Sequence, residues 1–181
     1  MSKLPNILSL SRIAAVPLLV ALVLLGVAAA DWAAALLFAL AAMTDFFDGW
    51  IARRLDVSSD FGRLIDPIAD KLLVITAIVL LVAVDRAPVV AALVIVLREV
   101  LVSGVREFLA GASSGLPVTR LAKWKTAAQM TAIILLLTGA SGLAGPGTVL
   151  FWIAAVLTCV TGYDYVRRGL AQVSARWRAG A

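Results

Sequence analysis

Residues 44–71 read TDFFDGWIARRLDVSSDFGRLIDPIADK, a stretch with six aspartates between two apolar runs. Four of the six fall at helical spacings. Asp45 and Asp48 are three apart, while Gly62, Asp66 and Asp70 repeat every four residues, so each set shares one helix face. Two such helices meeting across a short link would point four carboxylates into one small gap. Inside an apolar layer each acid costs on the order of 2.5–3.5 kcal/mol, and like charges add to that. Divalent cations resolve both problems. Two Mg²⁺ balance four aspartates, attract an anionic phosphate and bridge its oxygens. The chain has no histidine and one cysteine, Cys159, so any metal here takes oxygen ligands, which favours Mg²⁺, Mn²⁺ or Ca²⁺ over zinc or copper. Gly49, Ala52 and Gly62 lack bulk and let a ligand approach the backbone, and Arg53 can pair with a phosphate oxygen. Asp56 and Asp60 read as solvated link or cap residues, and Arg54 as a head-group anchor.

The elements that position these residues follow from composition. The chain of 181 residues is 62% hydrophobic and 15% charged, with a mean hydropathy of +1.02. A soluble domain is roughly 45–50% apolar and about 25% charged. The excess predicts an all-α integral membrane protein forming one domain over 1–181. Six spans of about 20 residues are expected: Ile13–Ala30, Trp32–Arg53, Gly62–Val84, Ala87–Leu109, Ala122–Thr138 and Gly147–Val166. Short breaks fall at Ala30-Asp31, Leu55–Asp60, Asp85-Arg86 and a Ser141–Pro146 turn, with a longer Gly/Ser/Pro-bearing link at Gly111–Thr119. The segment LPNILSLSR predicts a short N-terminal interfacial helix. The first apolar run is too long, and starts too late after Arg12, for a cleaved signal peptide.

Basic residues alternate in side. Lys3, Arg12, Arg53, Arg54, Arg63, Arg120, Lys123, Lys125, Arg167, Arg168, Arg176 and Arg178 all fall toward one face, while the opposite links hold only Arg86. Both termini and the aspartate-rich link are therefore expected on the cytoplasmic side. The net charge of +5 suits anionic head groups or anionic substrates. Nucleic acid is disfavoured as a partner, because the bases are spread between apolar segments.

The spacing Asp45-x2-Asp48-Gly49-x2-Ala52-Arg53-x8-Gly62-x3-Asp66-x3-Asp70 resembles the complete signature of the CDP-alcohol phosphotransferases, with all eight fixed positions present. The resemblance implies a six-helix membrane fold, a homodimer and a two-metal site of Mg²⁺ or Mn²⁺ held by Asp45, Asp48, Asp66 and Asp70. It implies a CDP site lined by Asp48, Gly49, Ala52, Arg53 and Gly62, and Asp70 as the general base. The implied reaction moves a substituted phosphate from a CDP-alcohol to a second alcohol and releases CMP.

REVLVSGVREFLA from Arg98, RLAKWKTAAQM from Arg120 and LPNILSLSRIAAVPLL at the start resemble the branch of that family that makes phosphatidylglycerophosphate. That branch uses CDP-diacylglycerol and sn-glycerol 3-phosphate, which places the chain in the cell inner (cytoplasmic) membrane among lipids. A phosphorylated acceptor needs cations. Arg98 and Arg106 are eight apart on one helix face, and Lys123 and Lys125 open the fifth span, so these four are the expected acceptor-phosphate ligands. The nearest rivals within the family use phosphatidylglycerol or inositol phosphate as acceptor. Intramembrane prenyltransferases lack the DxxDG…AR…G arrangement. A cation transporter needs a path across the bilayer, whereas these acids gather near one side.

Overall fold

The computed structural model describes the backbone of residues 3–55, 60–110 and 120–179, and side chains except those of residues up to 9, 45–67, 70, 106–120, 168 and beyond 169. The described residues form six helices and no strand. These are α1 (Lys3–Leu24), α2 (Ala28–Leu55), α3 (Asp60–Ala83), α4 (Val89–Ala110), α5 (Arg120–Leu137) and α6 (Ser141–Ala179). α1 packs against both α2 and α3, α5 closes against α2, and α6 lies along both α5 and α4. α2 and α3 are joined by four residues, and among the described residues each packs chiefly against α1. The reason lies in α1, whose Ala15, Leu19 and Val23 repeat every four residues and are all buried.

Several expected boundaries move. The N-terminal segment is not a separate interfacial helix: α1 runs unbroken from Lys3 to Leu24, since nothing between Pro5 and Arg12 interrupts the helical hydrogen bonds. The first break comes at Leu25–Val27, not Ala30-Asp31. Gly26 has φ +64°, a left-handed conformation that ends a helix, and Asp31 sits in the first turn of α2. Ser141–Pro146 is not a turn but the opening of α6, where Leu143 and Ala144 N–H groups donate to the Ala140 carbonyl, and Pro146 lies within the helix, leaving the Gly142 carbonyl without its usual donor.

The core is apolar and continuous, with Leu19, Phe38, Ile78, Ile95, Ile133 and Phe151 essentially inaccessible. The outside is apolar too. Leu36, Leu40, Leu93, Leu97, Val156 and Val160 are each more than half exposed, a surface that suits lipid rather than water. α6 over Ser141–Arg167 is long and apolar enough to cross a membrane, while Leu10–Leu24, Ala28–Thr44 and Lys71–Ala83 are shorter apolar stretches.

At the end of the bundle opposite the aspartate-rich link, three helices stop on left-handed residues: Gly26 after α1, Asp85 (φ 55°) after α3 and Gly139 (φ 63°) after α5. An ion pair ties this end together. Arg86 Nη2 donates to Asp31 Oδ2 at 2.7 Å, and Nη1 donates to the Leu137 carbonyl at 3.3 Å. A guanidinium at the last turn of α5 and a carboxylate in the first turn of α2 both suit the helix dipoles. Gly139 is required twice over, because a Cβ there would lie 2.7 Å from Asp31 Oδ2 and 2.9 Å from Arg86 Cζ.

Candidate active site

The link between α2 and α3 fixes one end of the bundle. Asp45, Asp48, Gly49, Ala52 and Arg53 lie on the last turns of α2, and Gly62, Asp66 and Asp70 on the first turns of α3, so the backbone brings both halves of the signature to the same end. Their side chains, and that of Arg106 on α4, lie outside the described residues, as does Asp56. No group of three acid, cysteine or histidine side chains able to hold a metal occurs among the described residues.

A second polar group is described in full, at the mid-height of α4 and the opening turns of α5. Arg98 and Glu99 are consecutive on α4, Lys125 enters from α5, and Thr161 and Gly162 belong to α6. Glu99 Oε1 accepts from Arg98 Nη1 at 3.3 Å and also from Lys125 Nζ. The other arm of the Arg98 fork, Nη2, donates to Thr161 Oγ1 at 3.4 Å, and the Thr161 hydroxyl in turn donates to the Leu157 carbonyl at 2.7 Å. Gly162 gives the arginine stem its room: a Cβ there would lie 2.8 Å from Arg98 Cγ.

Burial makes this group costly unless it is paired. The side chains of Lys125, Arg98 and Glu99 are 5%, 15% and 17% exposed. Two cations thus meet one carboxylate. Arg98 Nε is buried without a hydrogen-bond partner, and so are Gln129 Oε1, one turn along α5 from Lys125, and Thr158 Oγ1, one turn before Thr161. A buried unpaired donor of a guanidinium is a place where an anion's oxygen is worth most.

The expected acceptor-phosphate ligands therefore divide. Arg98 and Lys125 converge on one oxygen. Lys123 does not join them; two residues along a helix is a rotation of about 200°, and Lys123 is exposed while Lys125 is buried. Glu99, Thr161 and Gly162 were not singled out by spacing. Their signal is pairing between helices, which a single sequence does not display.

Comparison with known proteins shows the family. A family model described as CDP-alcohol phosphatidyltransferase matches residues 2–160. The chain belongs to the CDP-alcohol phosphatidyltransferase family. It is 45% identical over 172 residues to a Rickettsia typhi protein named CDP-diacylglycerol–glycerol-3-phosphate 3-phosphatidyltransferase, covering 92% of this chain and 97% of that protein. Proteins of the same name from Escherichia coli and Bacillus subtilis are 37% and 36% identical over 175 and 184 residues, covering 94% and 91% of this chain and 96% and 94% of theirs. The family match runs from α1 through the first half of α6, and so takes in both the aspartate signature and the Arg98–Glu99–Lys125 group.

Proposed function

We propose that this chain transfers the phosphatidyl group of CDP-diacylglycerol to sn-glycerol 3-phosphate, yielding phosphatidylglycerophosphate and CMP in phospholipid biosynthesis. The observation that carries the reading is the meeting of two features in one bundle. The backbone gathers the eight-position signature at one end, and a buried pair of cations from α4 and α5 converges on Glu99 within the same bundle. The first suits a CDP-linked donor and the second a phosphorylated acceptor. Relatives that align along nearly their whole length carry the name of this activity.

In this reading Asp45, Asp48, Asp66 and Asp70 hold two Mg²⁺ or Mn²⁺. The donor set is four carboxylates from two helix ends joined by four residues, with no histidine in the chain, and this fits hard, oxygen-seeking cations. When bound, the ions neutralise the carboxylates and polarise the phosphoryl oxygens. Asp48, Gly49, Ala52, Arg53 and Gly62 seat the CDP moiety. Arg98 and Lys125 hold the acceptor phosphate, with Arg106 on the same face of α4, while Lys123 lies outside this group. The acceptor's hydroxyl oxygen attacks the lipid-bearing phosphorus. Its proton passes to Asp70, the bond from that phosphorus to the oxygen of CMP breaks, and CMP leaves with the electron pair. All six helices cross the membrane in this reading, with the site facing the cytoplasm, and the protein is a homodimer in the cell inner membrane. Support comes from helices of 18 to 39 residues with apolar exteriors and from basic residues concentrated at the signature end.

The test is an acceptor assay on purified protein. CDP-diacylglycerol is supplied with labelled sn-glycerol 3-phosphate, inositol phosphate or phosphatidylglycerol, with and without Mg²⁺. Labelled product and stoichiometric CMP are expected from glycerol 3-phosphate alone, and only with the metal. Product from inositol phosphate and none from glycerol 3-phosphate would overturn the reading.

A further inference from the structure

We infer that Glu99 is a positioning residue for the acceptor phosphate: it aims Arg98 and Lys125 at one point and lowers the positive charge there. The inference rests on the acceptor reading above and deepens it, because Glu99 carries the wrong charge to bind phosphate itself.

A carboxylate beside an anion-binding position repels the ligand, so its presence needs a reason. The hydrogen bonds give one. Arg98 on α4 and Lys125 on α5 meet only through Glu99 Oε1, which accepts from both. Thr161 on α6 holds the second arm of the Arg98 fork, so the guanidinium plane is fixed from two sides. These contacts use a minority of the donors. A lysine ammonium has three and a guanidinium five, and Arg98 Nε is buried with no partner at all. The cations are oriented without being used up.

The charge count gives a second reason. The cations hydrogen-bonded to Glu99 are Lys125 and Arg98. Against one carboxylate they leave one positive charge. Without Glu99 two cations would share an apolar bundle with no counter-charge between them, and simple inorganic anions would be drawn in more strongly. Glu99 thus favours an anion that meets the aimed donors.

The experiment uses the full-length protein in lipid or detergent, with Glu99→Gln, Glu99→Asp and Thr161→Val. It measures kcat and KM for glycerol 3-phosphate, KM for CDP-diacylglycerol, and inhibition by inorganic sulfate. Glu99→Gln is expected to lower kcat on the order of 100-fold through misplaced donors. Sulfate should then inhibit it at about tenfold lower concentration, because the site has gained a net positive charge, while KM for CDP-diacylglycerol stays unchanged. Glu99→Asp keeps the charge, so sulfate inhibition returns to the wild-type value and part of kcat is recovered. Thr161→Val changes no charge; it lowers kcat less and leaves sulfate inhibition alone. Wild-type kcat in Glu99→Gln, or sulfate inhibition that is unchanged or weaker, overturns the inference. If Glu99→Gln does not fold, wild-type kcat in both Glu99→Asp and Thr161→Val overturns it. A wild-type enzyme that ignores glycerol 3-phosphate but uses another acceptor overturns the acceptor reading itself, a separate outcome.

Discussion

The bundle holds a buried ionic group toward each end, and they are built differently. At the far end Asp31 meets Arg86, one charge against one, and the guanidinium also closes the end of α5 through the Leu137 carbonyl. In the other group Arg98 and Lys125 outnumber Glu99. The charged atoms left over also differ: at the far end it is Asp31 Oδ1, an acceptor, and in the other group Arg98 Nε, a donor. A balanced pair beside a glycine that admits no side chain is a fastening. In the proposed reading, the unbalanced group with its spare charged donor is where the acceptor's phosphate binds. The hydrogen bond to Asp31 holds the Arg86 pKa above its ordinary value. A folded-state pKa raised in this way gives stability that is complete below the unfolded value, so the fastening does not weaken through Arg86 at any pH near neutrality.

This contrast can be broken or sharpened from both sides. The largest effect belongs to Arg98→Ala, which removes the forked donor from the acceptor side. It should lower kcat/KM for glycerol 3-phosphate on the order of 100-fold or more, leave KM for CDP-diacylglycerol near wild type and cost little in thermal unfolding. Steady-state kinetics with each substrate varied in turn will show it, and an equal loss for both substrates would erase the distinction between the two ends. The next effect lies at the far end. Arg86→Met strands the Asp31 carboxylate and should cost about 3 kcal/mol of stability, with turnover per folded molecule unchanged. Adding Asp31→Leu should regain much of that stability, since a buried pair can be replaced by apolar groups; denaturant titration of the two variants measures the difference. The smallest effect is Lys123→Gln, an exposed cation outside the group, which should change kcat/KM by less than about twofold.

Much of this molecule was legible in its sequence. The six apolar segments gave six helices because hydrophobic length and period are one-dimensional quantities. The aspartate signature falls on the end of α2 and the start of α3, as its helical spacings require of two consecutive helices. What was missed is relational. Gly26 ends α1 five residues before the expected break, because a run of alanines after it reads equally well as the end of one helix or the start of the next. Lys123 and Lys125 look alike in the sequence and take opposite faces in the fold. Asp31 and Arg86 read as isolated break residues, yet they find each other across 55 positions. Glu99 was visible but had no partner four residues away on its own helix, and its partner lies 26 positions along on another.

Gly162 carries a last consequence. Its backbone needs no unusual conformation, yet a side chain there would strike the Cγ of Arg98 at 2.8 Å, near the root of that arginine and not at its mobile tip. An added methyl group has to part α6 from α4 or swing the whole arginine. In the proposed reading, the smallness of one residue on α6 thus sets where the acceptor's phosphate is met, far along the chain from the signature that would seat the donor.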